Sequence, residues 1–303
     1  MLENKMIDSS NNESGVNHIF NTRLKAIAFW LVFCILATAT ITACAFSTTS
    51  DIWADPNKGV KIEQMVGITS EAADEIQQAA DATTRFFINN TGMRLKNQVI
   101  IILTTDRRSY IDEIITKFKI SELEAERVAR GTHALSGKNL IIVDMSGIPT
   151  ARQKTFLIAH ELTHHYQRQI AGNRAGNVMW MLEGMAETVG AQVVAQQGYL
   201  QIEQYKNNWR TGLAKTADKP SLSQLKTSND WSRSISQYGS SLAYKTAGLA
   251  VLMLTERFGQ EKVLDYFAEL RQGEDPEVTF QNIFGITMTD FIADVTYAIR
   301  KAA

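Results

Sequence analysis

Cysteine is all but missing from this sequence. Of 303 residues only Cys34 and Cys44 carry a thiol, and both fall inside one apolar N-terminal stretch. The chain beyond them can form no intrachain disulfide and can hold no metal through thiolates. Any metal site there has to be built from histidine and carboxylate. An excess of charge of one sign is missing too: 31 lysines and arginines meet 32 aspartates and glutamates, for a net charge of -1. Basic pairs such as Arg107-Arg108 are short and flanked by acids, so nothing offers a basic face to nucleic acid. No internal repeat is evident. What is present, 45% hydrophobic and 21% charged, suffices to bury one sizeable core or two small ones and argues against a disordered or fibrous chain.

Charge is absent from Ala26 to Phe46 (AIAFWLVFCILATATITACAF). At about 1.5 Å per residue such a helix reaches roughly 30 Å, enough to cross a bilayer, and it lacks the polar face of a buried core helix. Residues 1–22 are polar and rich in Asn and Ser, the composition of a disordered tail. Arg23 and Lys25 precede the run and Asp51 and Asp55 follow it, which puts the N-terminus in the cytoplasm and the bulk outside. Two readings stay open. In one the run is an uncleaved signal anchor, as its length and the long polar segment before it suggest. In the other, Ile41-Thr42-Ala43-Cys44 resembles a bacterial lipobox, so that Cys44 is lipidated and becomes the new N-terminus. Either way the folded part is expected to be tethered at the outer face of a membrane. The expected organisation is a tail or signal n-region over 1–25, anchor or signal over 26–46, a linker with Pro56 and Gly59 over 47–60, and one domain over 61–303.

Within 61–303 the pattern changes near residue 150. A helix is expected from an N-cap at Ser70 to Asn89-Asn90-Thr91-Gly92, then a β-branched strand Gln98 to Leu103, a helix over Ser109 to Arg130, and a second strand Asn139 to Asp144. From Thr150 onward almost everything has helical character: 150–171, 176–198, 200–214, 236–258, 260–271, 276–284 and 288–301. Thr216 to Ser236 is polar and irregular, and a loop of that length often borders a functional cleft. The expected class is α+β, with a small mixed subdomain over 61–150 and a helical one over 151–303.

Residues 160–164 spell His-Glu-Leu-Thr-His inside an apolar helical stretch. Histidines four apart on a helix differ by about 40° and one turn, so His160 and His164 can face one cation. Glu161 lies beside that face, where it can take a proton from a zinc-activated water. The bland alternative is a pair of satisfied histidines on a half-buried helix, and chance supplies such a motif in on the order of one chain in a hundred. A catalytic zinc also needs a third protein ligand and an open position. Glu183 stands eighteen residues after His164 in Leu182-Glu183-Gly184-Met185-Ala186-Glu187. Glu187, one turn further, suits a carboxylate that receives the other N–H of a ligating histidine. An ordinary solvated acid pair would instead set two like charges on an apolar helix.

These motifs resemble the gluzincin metallopeptidases, whose third ligand is a glutamate on a second helix, and the gap is that of the aminopeptidase N-like members. Tyr244, the apolar run after it and Gly259 resemble the peptidase-MA-like pattern, as do the C-terminal helices, so the likeness covers roughly residues 155–300. It implies a zincin-like fold, one Zn2+ per chain on His160, His164 and Glu183, Glu161 as base, and Glu187 behind His160. Tyr244, or alternatively Tyr238, is implied as the oxyanion donor, with a peptide or protein as substrate. It also implies an edge strand for extended substrate, expected at Leu140 to Val143. His165 lies about 140° round the helix and is expected to face away, and His133 is unassigned. Two other functions remain open: a non-catalytic zinc-binding surface lipoprotein, and a zinc hydrolase of cell-wall amide bonds.

Overall fold

The computed structural model describes residues 59–302. The tail, the apolar run with Cys44 and nearly all of the linker lie outside the described residues. Among the described residues no helix is long and apolar enough to cross a membrane.

The chain runs β1 (Val60–Gln64), α1 (Ser70–Thr91), β2 (Val99–Thr104), α2 (Arg107–Phe118), α3 (Glu122–Ala129), β3 (Ala134–Ser136) and β4 (Leu140–Asp144). Then follow α4 (Ala151–Ala171), α5 (Met179–Gln196), α6 (Ile202–Ala214), α7 (Ser228–Tyr238), α8 (Ser240–Phe258), α9 (Gln260–Leu270), α10 (Pro276–Phe284) and α11 (Met288–Arg300). This is an α+β protein with its strands in the first part and helices in the rest. The sheet has the order β1-β2-β4-β3, with β1, β2 and β4 parallel and β3 antiparallel on β4. Strand β4 alternates between two cores. Ile141 and Val143 join the main core with Ile101 and Leu103, whereas Ile142 packs with Tyr110, Ile114, Ala125 and Ala129 of α2 and α3.

Five sequence expectations need correction. Leu140 to Val143 is not an edge strand, because the short β3 pairs with it and takes the edge. The helix over Ser109 to Arg130 is two: Lys119 turns left-handed at φ 53°, and Ser121 opens α3 in a capping box with Glu124. Thr216 to Ser236 is no uninterrupted loop, since it holds a 3₁₀ turn at Leu222–Leu225 and most of α7, which Gly239 separates from α8. Thr69, not Ser70, caps α1 by accepting from the Ala72 N–H. Val60, placed in the linker, starts β1.

The apolar α5 lies between α4 and α8, against both of which it packs most extensively. Gly184 makes the second of these contacts close: a Cβ there would stand 2.4 Å from the Ala247 carbonyl oxygen. Opposite, α4 starts in a capping box of Thr150 and Gln153 and passes beneath β3.

Candidate metal centre

Helix α4 presents His160 and His164 one turn apart, and α5 brings Glu183 to meet them. His160 Nε2 and His164 Nε2 are 3.2 Å apart, and Glu183 Oε2 is 3.4 Å from the first and 3.5 Å from the second. These three atoms could hold a metal ion. Zinc bonds of about 2.0–2.1 Å at tetrahedral angles set ligand atoms about 3.3–3.4 Å apart, so the triangle has the size of one tetrahedral face.

The tautomers follow from the neighbours. Glu187 Oε1, an acceptor, lies 3.1 Å from His160 Nδ1, which therefore carries a proton. Gln167 is fixed by its amide donating to the Leu182 carbonyl at 2.8 Å, and this turns its Oε1 toward His164 Nδ1 at 2.9 Å. His164 Nδ1 is thus also a donor. Neutral histidines with both Nδ1 protons committed show only lone pairs at Nε2. Glu183 Oε2, itself buried without a hydrogen bond, adds another. Three acceptors, two on buried residues and one on the half-buried His164, with no donor among them repel unless a cation or proton sits between them, so the residues fit a small divalent cation.

The electrostatics agree with that donor set. Burial works against ionisation of Glu183, yet His164 and His160 together hold it far below the ordinary carboxylate range. Burial likewise opposes a charge on His160, but a protonated ring would meet the carboxylates of Glu183 and Glu187 at 3.4 and 3.1 Å, and these outweigh burial and raise its pKa well above the ordinary value. A proton and a cation therefore compete for the same nitrogen.

Around this triangle stand the remaining candidates. Glu161 is buried, and its Oε2 accepts from the hydroxyl of Ser136 on the edge strand β3. The Tyr244 ring lies 5.8 Å from the His160 ring, edge to face, and Trp231 of α7 packs against its other side at 5.2 Å. Burial, reinforced by Glu183, Glu187 and Glu161, raises the Tyr244 pKa well above its usual value, so its hydroxyl stays a donor. Tyr238 sits at the end of α7, where its hydroxyl accepts from Gln224 at 3.2 Å. His165 lies outside this cluster, buried with its Nε2 unpartnered, and burial drives its pKa well down. His133 lies beside Asp144, 3.4 Å away. Cys44 lies outside the described residues.

Sequence reasoning missed Ser136, Gln167 and Trp231. Gln167 had a signal, being three residues after His164 on its helical face. Ser136 had none, since only the pairing of β3 with β4 brings it to Glu161. No protein-family model matches the chain, and no curated protein matches it.

Proposed function

We propose that this chain is a zinc-dependent peptidase of the gluzincin type, with a zincin-like fold, held at the outer face of a membrane by its N-terminal segment. The observation that carries the reading is the convergence of three lone pairs from His160, His164 and Glu183, with Glu161 next to the first. A zinc ion bound there supplies Lewis-acid activation of a carbonyl and of water. Glu161 takes a proton from the attacking water and delivers it to the leaving amine. The Tyr244 hydroxyl donates to the oxyanion as it develops. Glu187 and Gln167 keep each imidazole in the tautomer that offers Nε2.

The test uses the full-length chain in detergent. Bound zinc per chain is measured first, and an unbiased peptide library is then assayed with wild type and Glu161→Gln. One zinc per chain in both forms and cleavage by wild type alone are expected. Absence of zinc overturns the site. Zinc with equal or equally absent turnover in both forms points instead to a zinc-bearing binding module.

A further inference from the structure

Arg168 lies on α4 one turn past His164. Its side chain leaves the helix about 40° from that of His164 and about 20° from that of Glu161, so the three form one strip. Its Nε and Nη2 are shut off from solvent and hydrogen-bond to no acceptor. These two nitrogens form one edge of the flat guanidinium, the fork that a carboxylate fills with two parallel hydrogen bonds. The buried Lys154, by contrast, is paired with Glu75. Burial lowers the Arg168 pKa, and the charges acting against it are Glu161 and Glu183, the acids of the metal centre. Arginine remains charged nonetheless. Above this strip runs β3, whose Ser136 hydroxyl donates to Glu161. Along α4, Arg168 is therefore the next cationic side chain on the strip that carries Glu161 and His164.

We infer that Arg168 anchors a carboxylate of the substrate, either a peptide C-terminus or an Asp or Glu side chain. The inference rests on the peptidase reading. A fork closed to water and without an acceptor is costly in the free protein, and a carboxylate that reaches it by displacing its cover removes that cost. Seven residues separate Glu161 from Arg168, about 10 Å along the helix axis. An extended peptide covers that distance in about three residues, so the anchored group lies about two or three residues from the cleaved bond.

The experiment compares matched peptides on the zinc-loaded full-length chain. One pair differs by a free or amidated C-terminus, the other by Glu or Gln two or three residues from the cleaved bond. Wild type is expected to favour a carboxylate member by about 10- to 100-fold in kcat/KM, the size of a charge-assisted hydrogen bond. The pair that discriminates identifies the source. Arg168→Met is expected to abolish the preference and Arg168→Lys to keep part of it, with the unfolding midpoint held or raised because an unpaired buried charge has gone. Equal rates on both pairs in wild type overturn the inference whatever the variants do. So does a fall in zinc content and midpoint in Arg168→Met with the preference intact, which marks a structural counter-ion. If wild type cleaves nothing, the peptidase reading fails, and the same pairs are titrated against the Glu161→Gln protein by fluorescence anisotropy. A carboxylate preference that depends on Arg168 then upholds the anchor alone, and its absence overturns it.

Discussion

Gly184→Ala gives the sharpest check on how Glu183 is delivered to the two histidines. On an ordinary helix this change is favourable by about 1 kcal/mol, because alanine restricts the unfolded chain. At Gly184 the added methyl would stand 2.4 Å from the Ala247 oxygen, 2.6 Å from Val251 Cγ2 and 2.8 Å from the Ala247 carbon. Two of those atoms are backbone of α8, so no rotamer change relieves them, and the helices must part. Overpacking of this kind costs about 3 kcal/mol at the upper end of its usual range, which leaves a net loss of about 2 kcal/mol. For a domain of this size that lowers Tm by about 4–8 °C. The same displacement carries Glu183 away from nitrogens it now meets at 3.4 and 3.5 Å, so zinc affinity falls as well. Gly212→Ala in α6 is the control, since its methyl would find only the Lys245 Nζ at 3.9 Å. That variant is expected to be as stable as wild type or up to about 1 kcal/mol more so. Thermal unfolding of the metal-free proteins and a zinc titration of each measure both effects. A Gly184→Ala protein as stable as wild type would refute the close packing of α5 on α8.

The other expectations concern the groups around the ligands and one distant acid. Tyr244→Phe should lower kcat by about 10²-fold or more and leave zinc content unchanged, whereas Tyr238→Phe should leave kcat close to wild type; steady-state kinetics on any cleaved peptide decides, and the reverse order would reassign the donor. Gln167→Leu frees the His164 tautomer and should weaken zinc binding by about 10- to 100-fold in competition with a chelator. Asp144 is buried, and although burial pushes its carboxyl up, hydrogen bonds from Ser146, His133 and Arg107 outweigh it and hold the pKa below the ordinary value. A depressed folded pKa stabilises above the unfolded value of about 3.9 and stops doing so as pH falls through the folded one. Asp144→Asn should therefore cost about 2 kcal/mol at pH 7, with the gap to wild type closing as pH drops below about 4 in urea unfolding.

The residues of the candidate metal centre could be grouped in sequence because they sit on regular helices, where spacing fixes direction. His160, Glu161 and His164 share a sector of α4, and Glu183 and Glu187 share one of α5, whatever the rest of the chain does. Leu140–Asp144 was legible as a strand but not as an interior one, since its place depends on three residues, Ala134–Ser136, too short to show a period. The break at Lys119 was hidden by apolar residues that keep helical spacing across it, although Ser121 and Glu124 spell a capping box in the sequence itself. α7 was masked by its serines and betrayed only by Trp231, whose buried ring turns a polar stretch into a wall of the site.

What the spacing could not supply is the asymmetry behind the two histidines. Glu187 holds His160 with a carboxyl group, while Gln167 holds His164 with an amide that is tied to the Leu182 carbonyl. The carboxylate favours a proton on His160 as well as a metal, whereas the amide fixes a tautomer without adding charge. The amide also links α4 to the residue immediately before Glu183, so a shift of α5 disturbs His164 and Glu183 together. Zinc affinity should for this reason respond cooperatively to Gly184→Ala and Gln167→Leu. The double variant is expected to lose less than the product of the two single losses, because either change alone already uncouples the helices.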